Sequence, residues 1–236
     1  MTLRLPSFNP REVPVERIDR ALAPLPEAWL APDALRSHFQ TVPLVAPERP
    51  GDGGRVPQHL LRSPRPAAVL VPLVMRDQGV QVLLTRRTEH LKDHAGQISF
   101  PGGRVDAEDA DAWATARRES LEEIGLSAAF IEPIGVLPLY ATVTAYSVTP
   151  CVALVRPGFS LALEAGEVAE AFEVPLAFLM NPAHHRWHRL SLLGFERQFL
   201  SMPWTSDGRE HFIWGATAAM LRNLYHQLRQ GREASQ

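Results

Sequence analysis

The alternation of apolar and polar stretches predicts a chain that contains both strands and helices. Apolar runs of strand length lie at residues 67–75, 80–87, 134–142 and 148–155. The intervening RDQG at 76–79 predicts that the first two runs form a hairpin. EVPLAFLM at 173–180 indicates a further strand that leads into a short helix. Helical periodicity appears in two longer segments, at 109–125 and from Thr217 onward, where Thr217 is a suitable N-cap. Five apolar residues share one face of the second helix and are predicted to be core: Met220, Leu221, Leu224, Tyr225 and Leu228.

The first third of the chain has a different composition. It holds 12 of the 21 prolines, which argues against a regular sheet there. Two short helical patterns interrupt it, at Val15–Leu22 and Pro32–Phe39. We therefore interpret 1–66 as a proline-rich N-terminal extension that wraps the domain or mediates association, 67–230 as the main domain, and 231–236 as a frayed tail.

Charge and cysteine content exclude several classes of protein. The net charge is −2, so no global positive potential indicates a nucleic acid or an anionic membrane as partner. Cys151 is the single cysteine, which rules out an intrachain disulfide. The N-terminal residues lack the apolar run of a signal peptide, and no window approaches the roughly 18 apolar residues of a membrane span. We expect a soluble, cytoplasmic protein.

The helix at 109–125 carries three glutamates on one side. Its apolar arc comprises Ala110, Trp113, Ala114, Leu121 and Ile124. Opposite that arc lie Glu119, Glu122 and Glu123, whose i, i+3, i+4 spacing crowds three negative charges near the helix C-terminus, where the macrodipole disfavours them. Arg118 offsets part of the repulsion through an i, i+4 pair with Glu122.

Two interpretations of this acidic face stand. One is a solvated surface; the other is a site for Mg²⁺ or Mn²⁺, which favour carboxylate oxygens. The preceding loop favours the metal, because Gly102-Gly103 permits close backbone approach, with carbonyls for a metal and amides for a phosphate. Basic residues around that turn indicate an anionic ligand: Arg86, Arg87, Lys92 and Arg104. Arg86 and Arg104 are equally compatible with solvated surface charges.

At this point the sequence resembles a known motif. The series Gly103-x5-Asp109-x8-Arg118-Glu119-Ser120-Leu121-Glu122-Glu123-Ile124-Gly125-Leu126 resembles the Nudix box, G-x5-E-x7-R-E-U-x-E-E-x-G-U, where U is bulky and aliphatic. It departs from the box in three ways: Asp109 replaces the first glutamate, the following spacer is one residue longer, and Ser120 occupies a U position. The half that carries Arg118 and the three glutamates is intact.

A second motif precedes the box. The residues Leu83-Leu84-Thr85-x-Arg87-Thr88-x3-Lys92-x3-Gly96-x3-Phe100-Pro101-Gly102-Gly103 resemble the signature of coenzyme A pyrophosphatases, with Thr88 for Ser or Ala and Lys92 for Arg. The resemblance covers roughly 67–228. It implies a Nudix fold, an α/β/α sandwich around a mixed β-sheet, and hydrolysis of the pyrophosphate of CoA, or of an acyl-CoA, to 3′,5′-ADP and 4′-phosphopantetheine.

The resemblance also implies roles for individual residues. Glu119, Glu122, Glu123 and the Gly102 carbonyl would hold Mg²⁺ or Mn²⁺, and Arg118 would orient the glutamates. The substrate phosphates would meet Arg86, Arg87, Lys92, Gly103 and Arg104. The resemblance leaves open which residue is the general base, and Glu119, Glu167 and Glu170 are the candidates. Glu167 and Glu170 are equally compatible with ordinary surface acids.

Three other functions stay open beside CoA hydrolysis. The first is a Nudix pyrophosphatase for another nucleoside diphosphate derivative such as ADP-ribose. The second is a non-catalytic nucleotide sensor, and the third is a scaffold whose extension recruits a partner. Association into a homodimer also stays open.

Overall fold

The computed structural model describes residues 8–51, 64–90, 95–192 and 195–233, and in that part of the chain it contains twelve strands and four α-helices. The strands are β1 (Val15–Ile18), β2 (Arg65–Val74), β3 (Gln81–Arg87), β4 (Ile98–Ser99), β5 (Gly102–Arg104), β6 (Ile131–Val136), β7 (Tyr140–Ala141), β8 (Tyr146–Val155), β9 (Val168–Pro175), β10 (Arg186–Leu192), β11 (Phe195–Ser206) and β12 (Arg209–Trp214). The helices are α1 (Pro32–Thr41), α2 (Ala112–Ile124), α3 (Leu176–Leu179) and α4 (Gly215–Glu233).

The two most apolar strands lie side by side at the centre of a mixed sheet. β2 and β8 pair in parallel along their whole length, and both are buried over most of it, as a near-continuous apolar run requires. The sheet runs β4-β3-β2-β8-β6, with β5 added to β2, β7 to β8 and β9 to β3. All the pairs other than β2–β8 are antiparallel. The predicted α/β class with a mixed sheet is confirmed.

The predicted hairpin forms, but only its closed end is paired. β2 and β3 pair at Leu73–Val82 and Val74–Gln81 and then separate. Farther along β2, the pairing edge is taken by β5, so that Gly103 lies opposite Ala68. The double glycine is thereby built into the central sheet beside the helix that follows it.

α2 covers one face of the mixed sheet, with a buried side that differs from the predicted one. Asp111 caps its N-terminus by accepting from the Ala114 N–H, and Gly125 ends it in the left-handed conformation. The buried residues of α2 are Thr115, Ala116, Ser120, Glu123 and Ile124. Of the residues predicted to face the core, Ile124 is buried and Trp113 is partly buried against the same core cluster, whereas Leu121 is 55% exposed, so the predicted orientation was wrong at Leu121. The hydrophobic pattern alone did not predict that Ser120 and Glu123 lie on the buried face of α2, because both are polar and are buried with hydrogen-bond partners.

A second sheet is built from β1 and the last three strands of the chain. It is antiparallel, in the order β1-β10-β11-β12, and α4 packs on β11 and β12. The sequence did not predict this sheet. The apolar stripe of α4 is buried as predicted. However, α4 begins at Gly215, so Thr217 lies within its first turn and is not the N-cap; its hydroxyl donates to the Ile98 carbonyl instead.

The N-terminal segment takes part in this architecture. α1 confirms the helix predicted at Pro32–Phe39, whereas the helix predicted at Val15–Leu22 is wrong, because β1 forms there and pairs with β10. Arg222 of α4 is buried and donates two hydrogen bonds to Glu48, at 2.8 and 2.9 Å, and it also pairs with Asp19 at 3.1 Å. Buried charge therefore ties α4 to two points of the segment. Among the described residues, no helix has the length and apolar content needed to cross a membrane.

Candidate active site

Arg118 connects the loop after the double glycine to the acidic side of α2. Its guanidinium donates to both carboxylate oxygens of Asp109, with Nε–Oδ1 at 3.2 Å and Nη2–Oδ2 at 2.9 Å. Nη1 donates to Glu119 Oε1 at 3.0 Å and to Glu122 Oε2 at 3.1 Å. Nη2 also donates to the carbonyl of Arg104 at 3.0 Å. One side chain therefore fixes three carboxylates and the backbone of the loop, and the predicted pair with Glu122 is present.

Asp109 serves as the anchor of this arginine. Besides Arg118, it accepts from the hydroxyl of Thr115 at 2.8 Å and from the N–H of Asp106 at 2.9 Å. The Arg118 guanidinium, followed by the Asp106 N–H, holds the pKa of Asp109 well below its usual range. The aspartate at the first acid position of the box thus binds protein groups. Sequence reasoning missed Thr115, because Asp109 precedes α2 and helical spacing does not relate the two residues.

Glu123 faces the sheet, and its carboxylate meets the double glycine. It is 5% exposed and accepts a hydrogen bond from the Gly102 N–H at 3.1 Å. Arg87 Nη1 lies 3.6 Å from Glu123 Oε1. Burial removes water from the carboxylate and raises the pKa of Glu123 to about 7, against the opposing effects of the Gly102 N–H and Arg87. A carboxylate held this way is costly unless a cation compensates its charge.

The two glycines have different close contacts. A Cβ at Gly102 would lie 2.4 Å from the Ala68 carbonyl oxygen of the neighbouring strand, whereas a Cβ at Gly103 would lie 2.3 Å from Glu119 Oε1, the end of a flexible side chain. The sheet pairing of β5 with β2 therefore leaves room for hydrogen only at Gly102. The same pairing brings the backbone of the loop against the carboxylates of α2.

The charge of Glu167 acts on the same cluster. Burial raises the pKa of Glu119, and the negative charges of Glu122 and Glu167 add to that rise. Glu167 also raises the pKa of Glu123. Glu167 immediately precedes β9, where its carbonyl accepts from the Thr88 N–H at 2.9 Å. Three carboxylates of α2 and one from the start of β9 thus form a single electrostatic group.

Glu170 has different partners from Glu167. Its Oε2 accepts from Arg86 Nε at 2.9 Å and lies 3.1 Å from Arg209 Nη1 of β12. Arg86 and Arg87, although adjacent, therefore contact different elements: Arg86 contacts β9 through Glu170, and Arg87 contacts α2 through Glu123. Arg104 extends its guanidinium to the Tyr146 hydroxyl at 2.7 Å. Lys92 lies outside the described residues. Among the described members of the predicted basic cluster, Arg87 contacts the acids through its guanidinium. Arg104 contacts Arg118 through its backbone carbonyl only.

The donor set has the chemistry that Mg²⁺ and Mn²⁺ prefer, since it consists of carboxylate and backbone oxygens. Within the ranges that the structure describes, no three His, Cys, Asp or Glu side chains converge closely enough to enclose a metal ion. Glu119 and Glu122 are engaged by Arg118, and Glu123 by Gly102. The residue types and their mutual repulsion fit a divalent cation, and binding one requires the carboxylates to turn from these partners.

Comparison with known proteins shows the family of the chain. The NUDIX domain family matches residues 64–193. The chain is 42% identical over 164 residues to the uncharacterized Nudix hydrolase NudL of Escherichia coli (strain K12), covering 70% of this chain and 83% of that protein. The NudL protein of Shigella boydii serotype 18 matches at the same identity and coverage. The chain therefore belongs to the Nudix family.

Solved structures of the family resemble the chain more distantly. A MutT/nudix family protein from Enterococcus faecalis aligns with a TM-score of 0.43 and 14% identity, over 70% of this chain and 62% of that one. The NUDIX domain of Shewanella oneidensis NrtR, crystallised with ADP ribose, aligns with a TM-score of 0.39 and 20% identity, over 52% of this chain and 79% of that domain.

Proposed function

We propose that the protein hydrolyses the pyrophosphate bond of coenzyme A or a CoA derivative, giving 3′,5′-ADP and 4′-phosphopantetheine. The observation that carries this proposal is the placement of Arg87, a fixed position of the CoA pyrophosphatase signature. From the end of β3 it reaches Glu123, the most buried acid of the box. Its Nε is buried and has no hydrogen-bond partner among the described residues. A guanidinium in that state beside an acid cluster suits an incoming phosphate, which it can bind through two parallel hydrogen bonds.

Glu119, Glu122 and Glu123, with the Gly102 carbonyl, are the groups that would hold Mg²⁺ or Mn²⁺. A bound divalent cation neutralises pyrophosphate charge and lowers the pKa of a water. The chain itself supplies the positioning. Arg118, anchored by Asp109, holds Glu119 and Glu122 on one side of α2. The Gly102 N–H holds Glu123.

Glu167 is our candidate for the general base. It lies within electrostatic range of Glu119 and Glu123 and is itself exposed to solvent, where it can take a proton from water. Glu170 suits this role less well, because its carboxylate is shared by Arg86 and Arg209. We expect Glu167→Gln to lower kcat by about 10²-fold or more, in line with the usual contribution of a general base. Glu170→Gln should lower it much less.

The proposal is tested by steady-state kinetics on CoA and ADP-ribose in parallel, with Mg²⁺ or Mn²⁺, followed by mass-spectrometric identification of the products. We expect kcat/KM to be highest for CoA and to fall strongly in Glu122→Gln. Cleavage of ADP-ribose alone would refute the CoA assignment and leave a pyrophosphatase of another specificity. Binding of CoA without turnover by the folded protein would refute hydrolysis and favour a sensor.

A further inference from the structure

A cleft of about 750 Å³ opens between the N-terminal segment, the end of β3 and the second sheet. Four arginines line it, against two glutamates: Arg11, Arg86, Arg197 and Arg209. Phe212 and Trp214 of β12 supply aromatic walls. Arg11 comes from the N-terminal segment, which lies outside the part of the chain that the NUDIX domain matches. The cleft is therefore lined in large part by residues outside the range that the NUDIX domain matches.

The cleft adjoins the candidate active site through the end of β3. Arg86 lines the cleft, while its neighbour Arg87 reaches Glu123 of the acid cluster. The Arg87 N–H donates to the carbonyl of Gln97 at 2.9 Å, and Gln97 also lines the cleft. A ligand whose pyrophosphate lies beside Arg87 therefore has the cleft within reach of one of its two ends.

The charges in the cleft favour a phosphorylated end. Arg86 Nε and Arg209 Nη1 contact the same oxygen of Glu170, at 2.9 and 3.1 Å. The two positively charged guanidiniums share the single negative charge of one carboxylate, so one positive charge is not neutralised by it and can interact with a phosphate. Arg11 pairs with Glu210 and also lies over the ring of Phe212, with its guanidinium carbon 4.8 Å from the ring centroid. Guanidinium planes and aromatic faces are the surfaces on which nucleobases stack.

We infer that this cleft binds the nucleoside phosphate end of the substrate, the 3′-phosphoadenosine of CoA, with the arginines on the 3′-phosphate and β12 aromatic residues against the base. The inference rests on the proposed function, because it takes CoA as the substrate. The other end of CoA, the pantetheine arm, is uncharged and has no aromatic ring, so it does not match the cleft. The N-terminal segment would then determine specificity, through Arg11.

The test measures binding, independently of turnover, by isothermal titration calorimetry on the full chain. The ligands are 3′,5′-ADP and 5′-AMP, which differ only in the 3′-phosphate. We expect 3′,5′-ADP to bind about tenfold or more tightly than 5′-AMP, the ratio expected from one or two charged hydrogen bonds. Arg209→Gln and Arg11→Gln should each remove most of that ratio. Both side chains are about half exposed, so the variants should fold. Arg20→Gln, an exposed arginine outside the lining, is the matched control and should keep the ratio.

Two results would overturn the inference: equal affinity for the two nucleotides, or a ratio that Arg209→Gln and Arg11→Gln leave unchanged. Turnover separates this failure from that of the proposed function. If CoA is cleaved but KM for CoA and for dephospho-CoA respond equally to Arg209→Gln, the cleft assignment fails and the function stands. If CoA is not cleaved yet the nucleotide ratio depends on Arg209, the function fails and the nucleotide site stands.

Discussion

Glu123→Gln should stabilise the metal-free protein, and more so as the pH rises. The pKa of Glu123 is raised from an ordinary value of 4.5 to about 7, mainly by burial. Below pH 4.5 both the folded and unfolded states hold the proton, so the charge has no effect on stability. Between pH 4.5 and 7 the unfolded state loses the proton first, and the free energy of unfolding falls. One pKa unit corresponds to about 1.4 kcal/mol, so the deficit above pH 7 is about 3 kcal/mol. Glutamine removes the charge and can still accept from the Gly102 N–H.

The assay is urea unfolding with a chelator present, at pH 5 and at pH 8. We expect the stability advantage of Glu123→Gln to grow by about 2 kcal/mol or more between these two values. Glu122→Gln is the matched control, because Glu122 is 58% exposed, and its effect should stay within about 0.5 kcal/mol at both pH values. Added Mg²⁺ should stabilise the wild type more than Glu123→Gln, since a cation bound to the folded state raises its stability. An advantage that does not change with pH would show that burial does not raise the pKa of the Glu123 carboxylate.

Four further predictions concern the double glycine, the exposed face of α2 and the contact between α4 and the N-terminal segment. Gly102→Ala should destabilise the protein by about 1–3 kcal/mol in urea unfolding, because its Cβ would meet a backbone oxygen at 2.4 Å. The Cβ of Gly103→Ala would instead contact the end of the flexible Glu119 side chain. This variant should therefore lower kcat and leave the urea midpoint nearly unchanged. Equal loss of stability in both variants would contradict this distinction. Leu121→Gln should change the unfolding free energy by less than about 0.5 kcal/mol, since this leucine is 55% exposed, and a large loss would restore the orientation predicted from hydropathy. Arg222→Met should cost about 1–3 kcal/mol, because the largely buried Asp19 carboxylate and the more exposed Glu48 carboxylate both lose a charged partner; a urea transition like that of the wild type would show that these two ion pairs do not stabilise the contact between α4 and the N-terminal segment.

The sequence predicted the central sheet because its strands are strongly apolar. β2 and β8 are buried over most of their length, so their apolar composition alone predicts them as buried strands. The strands of the second sheet are half-exposed and mix charged with apolar residues, as in HRLS at 188–191, and give no comparable signal. β1 is short, lies at the edge of that sheet and is specified by its pairing with β10, which local propensity does not encode.

The orientation of α2 shows a different limit. An apolar count gives Leu121 to the core and Glu123 to solvent, and the structure reverses both. Ser120 can be buried because its hydroxyl donates to the Ala116 carbonyl at 2.6 Å, and Glu123 because it accepts from Gly102. The Gly102 partner is brought close only by the fold, whereas the Ala116 carbonyl is a local partner within the helix, which an apolar count does not consider. The motif nevertheless identified the acids and Arg118 as a group, because motif spacing does not depend on which side of the helix is apolar.

The most direct measurement of the central claim is a ³¹P NMR time course of CoA incubated with the protein and Mg²⁺. Hydrolysis of the pyrophosphate should make the two pyrophosphate resonances disappear together and replace them by two phosphomonoester resonances, while the 3′-phosphate signal persists. The conversion should stop on chelation and be strongly slowed in Glu122→Gln. Persistent pyrophosphate resonances with folded wild-type protein and metal, or loss of the 3′-phosphate signal instead, would contradict the claim that this site hydrolyses the pyrophosphate of CoA.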